Sequence, residues 1–580
     1  MRILLAAAGA VALTAVAIAQ APVADPMIAA MRDEAARSSK LNLPNLEPPY
    51  FVEYVLDQAD AFSVTANLGG LVSRRREVFR EPEVHVRVGD YKFDNTNFAG
   101  GGLGGSRYDL ESFPVENAYP VLRRYLWLET DSAYKAALEA ISRKRAAMRN
   151  IQQGDQLNDF AHAEPVHYVQ PFGRLAIDED EWANRVRTLS GIFAKFPEVK
   201  NSGVELQSAE GGYYVVNSEG TEVKAVENVT YVRAHAQAQA SDGMTVRDAV
   251  AFHSLDLAHM ASQIEMERGV TALAENVVAL AKAAKGEDYS GPVLFEGMAG
   301  PQVFAEVLGK NLALVRRPAG GRGGSAPAGD LEGRMGARVL PDTFDVVDDP
   351  AQKEWRGRPL FGSYDVDREG VMAKPLRLVE KGVLKAYLLT RQPVKGFEGS
   401  NGRARLPGGG AASYADISNL FVSSSETVPA ADMKKKLIEL IQARNKPYGI
   451  IVRKMDFPSS AATNEEVRSL LQASPGQVHP VSMPLLVYKV FPDGREELVR
   501  GLRFRGFNAR SLKDILAAGD DQAVFEFMDN EAPFALINGS TFTAETCVVA
   551  PSILIDDLEL HPAEEEQPKL PVVPAPDMKR

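Results

Sequence analysis

The sequence predicts an α+β protein of two domains, a mixed α/β N-terminal domain over 20–290 and an antiparallel, β-rich C-terminal domain over 291–560. Three observations carry this. A chain of 580 residues exceeds the size at which one hydrophobic core keeps growing. Helical and strand-like hydrophobic periods are interleaved up to about residue 285, whereas strand patterns dominate from Pro292. The polar break Gly286-Glu-Asp-Tyr-Ser-Gly291 separates the two regions.

Before the first domain, Met1-Arg2 and the apolar run 3–19 end in Ala17-Ile18-Ala19, the pattern of a signal peptide cleaved after Ala19. The expectation is a periplasmic or secreted protein with no stable membrane anchor after cleavage. Such a chain would meet an oxidising compartment with one cysteine, Cys547, so no intrachain disulfide can form. Cys547 lies in the apolar run Cys-Val-Val-Ala-Pro-Ser-Ile-Leu-Ile and reads as a buried small hydrophobe.

In the N-terminal domain a helix is expected over 27–39. Strands follow at 50–55, 62–66 and 83–88, with Asn67-Leu-Gly-Gly70 as a turn. Two helices come next, 119–151 and 178–196; the second places Trp182, Val186, Leu189, Ile192 and Phe193 on one face. Strands at 203–207 and 212–217 precede the turn Ser218-Glu-Gly-Thr221, and the chain runs on through 221–238 to a long helix over 254–285. In the C-terminal domain Glu380-Lys-Gly382 and Pro492-Asp-Gly494 sit between strand patterns as hairpin turns, since glycine supplies the positive φ that closes them. A helix is expected over 429–442, glycine-rich loops at 319–329 and 396–410, and a disordered Pro/Glu-rich tail over 561–580.

Hydrophobic content of 45% with 24% charge is that of a soluble globular protein. A net charge of −12 argues against a nucleic-acid partner, which requires a basic surface. The run Gly100-Gly-Gly-Leu-Gly-Gly105 contains G-x-G-x-x-G without the buried strand and following helix of a dinucleotide site. Neither a phosphate loop nor a G-x-S-x-G elbow occurs. His162 and His167 flank Pro165, which breaks any helix that could present both rings. His253 and His259, six apart on the expected helix, point about 120° away from each other, and His85, His235 and His479 are isolated.

From about Val204 to Leu560 an ordered series of motifs resembles the TldD/PmbA family, the metallopeptidases also called modulator-of-gyrase proteins. The series runs Asn217-Ser-Glu-Gly-Thr-Glu222, Gly291-Pro-Val-Leu-Phe295, Val346-Val-Asp-Asp-Pro350, Gly362-Ser-Tyr-Asp-Val-Asp-Arg-Glu-Gly370 and Leu378-Val-Glu-Lys-Gly-Val-Leu-Lys-Ala-Tyr387. It continues with Ser400-Asn-Gly-Arg-Ala-Arg405, Tyr448-Gly-Ile450, Pro492-Asp-Gly494 running to Val499-Arg-Gly501, and Ala550-Pro-Ser552. The resemblance implies a two-domain TldD/PmbA-like α+β fold that dimerises around an enclosed cavity.

The family's catalytic branch binds zinc through His-Glu-x-x-x-His and a later cysteine. Here that window reads Ala305-Glu-Val-Leu-Gly-Lys310. The resemblance places the lost histidines at Ala305 and Lys310, the catalytic glutamate at Glu306, and the cysteine near Ile537, away from Cys547. Neither Ala305 nor a protonated Lys310 has a lone pair for zinc, and without metal Glu306 has no activated water to deprotonate. No cofactor is therefore expected. The window reads as scaffold: Val303, Phe304, Val307, Leu308 and Leu312 form a buried face, and Glu306 and Lys310 an i,i+4 surface ion pair.

The expected function is that of an exported, non-catalytic metallopeptidase relative, a homodimer or the partner subunit of a zinc-bearing TldD-like protein, able to hold peptide in its cavity. One alternative is an active zinc peptidase drawing ligands from His253, His259 or His479. A second is a structural envelope protein.

Overall fold

The structure, a computed structural model, describes residues 25–98, 113–149, 157–319, 329–407, 413–456, 481–529, 544–563, 569 and 571. The expected signal peptide, the glycine run 100–105, His479, position 537 and most of the tail lie outside the described residues.

The N-terminal half is organised on a seven-stranded sheet. Its first two strands, β1 (Pro49–Asn67) and β2 (Gly70–Val88), form one long hairpin, turned by Leu68 and Gly69 at φ 48° and 84°. The short strands expected here fuse because the polar residues that interrupt the pattern are paired. Arg368 takes Asp57, and Arg76 takes Asp60. The strands expected at 203–207 and 212–217 likewise merge, into β3 (Val199–Asn217), which runs antiparallel to β1. Gly211 and Gly212 carry the chain through the join; a Cβ on Gly212, at φ 152°, would lie 1.9 Å from the Ala225 carbonyl oxygen. β4 (Glu222–Val226) and β5 (Val229–Gln239) pair with β3, and β6 (Thr245–Ser254) pairs with β5.

Alternation along the strands gives the sheet two different faces. Val52, Tyr54, Leu56 and Val86 pack beneath α1 (Pro26–Ser38) and α2 (Tyr119–Met148). On the same face, Phe62, Val64, Leu206 and Val232 pack beneath α3 (Glu179–Gly191) and α4 (Gln263–Lys282). The helix expected from 254 begins later than its pattern suggests. Ser254 ends β6, and the Ser262 side chain caps α4 in a reciprocal box with Glu265.

The C-terminal half is a twelve-stranded sheet. Its main strands are β7 (Tyr289–Phe295), β8 (Phe344–Asp348), β9 (Asn419–Ser424), β10 (Gly449–Met455), β11 (Pro484–Val490), β12 (Glu496–Arg500), β13 (Ile515–Asp529) and β14 (Ala544–Pro562). β14 pairs with β7, β9 and β13. Most pairs are antiparallel, as expected, but β9–β14, β7–β10 and Ala284–Lys285 with β12 run parallel. β14 also takes in the first two residues of the expected tail, His561 and Pro562, opposite Arg503 and Leu502.

One face of this sheet is covered by α6 (Ala430–Ala443) through Met433, Leu437 and Ile441. The larger core, on Val293, Phe295, Ile450 and Ile553, takes in Phe304, Leu308 and Leu312 of the segment that begins with α5 (Ala299–Val303). No helix among the described residues is long and apolar enough to cross a membrane.

Candidate functional site

The segment carrying Glu306 is not a uniform α-helix. α5 passes into a π-helical turn, Phe304–Leu308, and then a 3₁₀ turn, Gly309–Asn311. In an α-helix, positions five apart differ by roughly 140°. Here the Gly309 N–H is shared between the Ala305 carbonyl and the Phe304 carbonyl, and the second, an i→i+5 bond, widens the turn. A Cβ on Gly309 would lie 3.1 Å from Ile417 Cδ1, so the wide turn sits tightly against its neighbour.

The side chains on this turn differ from the sequence expectation in one respect. Val303, Phe304, Val307, Leu308 and Leu312 are buried as expected. Glu306 and Lys310 do not serve as each other's surface counter-ion. The Lys310 ammonium, on a side chain 15% exposed, pairs with the fully buried carboxylate of Asp529 at the end of β13. Glu306 Oε1 accepts from Gln302 Nε2 at 2.8 Å, and Oε2 accepts from the Ser482 N–H at 2.7 Å. The turn therefore points Glu306 inward, and burial pushes its carboxyl up to about 7 against those two hydrogen bonds.

Gln302 also donates to the Asp456 carbonyl at 2.7 Å, and the Asp456 carboxylate receives Arg247 Nη2 at 2.5 Å. Beside it Lys454 Nζ reaches Asp248 at 2.6 Å. Arg247 and Asp248 belong to β6 and Lys454 to β10, so the Glu306 segment is tied through Asp456 to the seam between the two sheets.

The residues present do not fit the zinc that the sequence resemblance implies. Ala305 is 1% exposed and offers no donor atom. Lys310 brings a positive charge already neutralised by Asp529. Among the described residues no group of three or more His, Cys, Asp or Glu side chains is placed to hold a metal ion.

The alternative ligands are also separated by the fold. His253 lies on β6, half-buried against Phe361 with a ring-centroid distance of 4.9 Å. Burial, reinforced by Arg358 and Arg233, depresses its pKa to about 3. His259 is in the exposed turn before α4, bonded to Asp256 at 2.8 Å. Cys547 is fully buried on β14, where burial pushes its thiol well up, as a small core residue requires.

A second constellation gathers three of the sequence motifs that lie far apart in the chain. In the turn 217–222, Asn217 Oδ1 accepts the N–H groups of Glu219 and Thr221, and Ser218 Oγ accepts that of Val52. This presents Glu219 to the buried Arg391 at 2.7 Å. In the motif 362–370, Arg368 forks onto Asp57 at 2.8 and 3.1 Å and reaches Glu227 at 2.7 Å, while Tyr213 donates to the Val366 carbonyl at 2.5 Å. In the motif 400–405, Arg403 is fully buried on Asp348 at 2.6 Å, and Asp348 also accepts from Ser418.

These groups meet where the helix-free face of the N-terminal sheet rests on the C-terminal half. A cavity of about 20 Å³ lies at the junction, lined by Glu53, Asp57, Glu83, His85, Arg87 and Arg368, among others. That is room for about one water, too little for a peptide side chain. Hydrogen bonds to Glu53 and Glu83 outweigh the burial of His85 and lift it to about 9, so it is a cation in the fold. Burial and the neighbouring Glu369 push Asp367 up to about 7. The arrangement fastens the two halves together. The motifs at 217–222 and 362–370 supply ion pairs between the halves, and the motif at 400–405 joins them through the Ala404 N–H on Asp367, a grouping that sequence spacing alone could not reveal.

A family model described as the PmbA/TldA metallopeptidase C-terminal domain matches residues 288–460. A metalloprotease from Archaeoglobus fulgidus is 37% identical over 78 residues, 13% of this chain and 17% of that protein. The chain is thus aligned with less than a fifth of that relative's length. In fold it resembles TldE from Thermococcus kodakarensis, with a TM-score of 0.55 and 13% identity over 92% of this chain and 99% of that one. A protein described as a modulator of a DNA gyrase from Thermotoga maritima gives a TM-score of 0.52 and 15% identity, covering 88% and 96% of the two chains. A similarly described protein from Bacteroides thetaiotaomicron gives 0.53 and 11%, covering 93% and 98%. At these identities the structures establish the shared fold.

Proposed function

We propose that this chain, which belongs to the TldD/PmbA family, is a metallopeptidase-like protein that works without metal and without hydrolysis. It is exported, and it acts as a dimer or as the partner of a zinc-bearing relative, holding peptide rather than cleaving it. One observation carries the reading. At the two positions matching the metal-binding histidines stand a buried alanine and a lysine whose ammonium is joined to the buried Asp529. A divalent cation brought there would meet a fixed positive charge and no lone pair from either residue.

Glu306 supports the same reading. Both of its oxygens are held by Gln302 and the Ser482 backbone, so the carboxylate is tied into the segment as a structural acceptor. Peptide binding would then rest on main-chain hydrogen bonding and shape rather than on metal coordination. The test is a peptidase assay on the purified chain, with and without chelator, alongside calorimetric titration with unstructured peptides. The reading predicts no chelator-sensitive hydrolysis and saturable peptide binding. Turnover abolished by chelator overturns the non-catalytic part, and absence of any peptide affinity favours a structural envelope role.

A further inference from the structure

Strand β2 forms the outer edge of the N-terminal sheet, and β1 is its one strand partner among the described residues. Natural edge strands are kept short, covered, or guarded by outward charge, because a free row of backbone N–H and C=O groups invites pairing with another chain. This edge is 19 residues long, and 71–78 are exposed throughout. Leu71, Val72 and Val78 are 47%, 66% and 51% exposed, with Leu68 of the turn at 51%.

The arginines in this stretch are not simple guards. Arg74 turns onto Asp180 at 2.6 Å and Glu179 at 2.8 Å, and Arg76 onto Asp60 at 2.9 Å and Glu179 at 3.3 Å, both on the face towards α3. Their charges are already neutralised. Arg75 and Glu77 point to the opposite face, 72% and 52% exposed, with a loose contact of 3.7 Å between them.

We infer that the edge of β2 is a self-association surface, on which two copies of this chain pair β2 to β2, antiparallel, about a two-fold axis at Arg76. The two seven-stranded sheets would then be continuous across the dimer. In this register Arg75 lies opposite Glu77 of the partner subunit, and Glu77 opposite Arg75 of the partner subunit. Opposite charges directly across an antiparallel pair stabilise it, and like charges do the reverse. Centring the axis one residue earlier would set Arg75 against its own copy, and one residue later would set Glu77 against its own copy. The charge pattern thus selects one register. It also selects a second copy as occupant, because the pairing is reciprocal only when both strands carry the same sequence. The two Arg76 side chains meet on the face where Asp60 and Glu179 balance them. Val72 and Val78 are covered by the aliphatic stems of Arg80 and Arg74 across the axis.

This deepens the dimer element of the proposed function by naming its surface, and is independent of whether the chain hydrolyses peptide. The experiment is sedimentation equilibrium on the full chain at micromolar concentration, with Arg75→Glu, Glu77→Arg and the double swap. The wild type is expected as a dimer. Each single swap places like charges opposite each other twice and raises the dimer dissociation constant about tenfold or more. The double swap returns it to near the wild-type value, and mixing the two single variants gives a heterodimer. Circular dichroism should be unchanged in all three, since both side chains are exposed in the single chain, and the melting temperature of the single swaps falls only as the weaker association requires. A dimer indifferent to either single swap overturns this surface while leaving dimerisation standing. A monomeric wild type overturns both.

Discussion

At position 310 the nature of the cation matters more than the loss of a histidine. Zinc binding would need a neutral lone pair there, whereas lysine supplies a fixed charge on a flexible stem. That charge is shared with Asp529, which has no exposure of its own. Lys310→Met therefore takes a compensating charge away from a buried carboxylate, at a cost of about 3 kcal/mol. The expected result is a melting temperature lowered by several degrees, with Lys310→Met/Asp529→Asn recovering more than half of the loss. A double variant no better than the single would show that the pair carries no coupling.

The sequence located Ala305, Glu306 and Lys310 and the buried face around them, because a family register and a 3.6-residue period are both local properties. It could not locate Asp529, at the end of a distant strand, or Asp456 and Ser482, which lie just outside distant strands. The expected Glu306–Lys310 pair presumes an α-helical turn; the i→i+5 bond at Gly309 and the competing donors at Gln302 and Ser482 redirect both side chains.

At the scale of elements, the period of the hydrophobic pattern identified helices and strands well and their ends poorly. α1, α3 and α6 fall within a few residues of expectation, because caps and apolar faces coincide there. β1, β2 and β3 are longer than their apolar runs because tertiary ion pairs absorb their polar residues. The helix expected from 254 is shortened because Ser262 and Glu265 supply a better start than the apolar residues before them.

Two substitutions test these boundaries. Ser262→Ala removes a cap and should cost about 1 kcal/mol, read as a small fall in melting temperature with α4 retained. Gly212→Ala forces a Cβ to within 1.9 Å of the Ala225 carbonyl oxygen in a backbone conformation that L-residues rarely adopt. Its expected outcome is failure to accumulate as soluble protein; a normally folded Gly212→Ala variant would contradict the merged strand.

Across the whole molecule, the two halves are joined by charged groups as well as by apolar surface, the latter where Tyr231 packs with Leu360 and Phe361 and Val55 and Tyr213 with Val366. Arg368→Met removes the partner of Asp57 and Glu227 together, and calorimetry should then resolve two unfolding transitions where the wild type shows closer coupling. Buried carboxyl groups in both regions also set a pH dependence. Burial raises Glu306 from 4.5 to about 7, and burial together with Glu369 raises Asp367 from 3.8 to about 7. Burial together with Glu227 raises Glu545 from 4.5 to about 8.

The folded state therefore binds protons that the unfolded chain releases. Stability falls as pH rises from the ordinary carboxylate range through about 7 to 8. His85, raised from 6.5 to about 9, acts in the same direction: its contribution is complete below 6.5 and is lost as pH rises through about 9. The melting temperature should be highest at mildly acidic pH and decline towards pH 9, and Glu306→Gln should flatten the part of that decline below about pH 7. A melting temperature that rises from pH 5 to 9 would contradict these assignments.

A lysine–aspartate pair stands where the resemblance to the family places a metal ligand. Elemental analysis of the full chain, purified from zinc-supplemented medium without chelator, tests it most directly. The expected result is zinc far below one ion per chain, unchanged on adding excess zinc and desalting. One zinc per chain, retained through desalting, would contradict it.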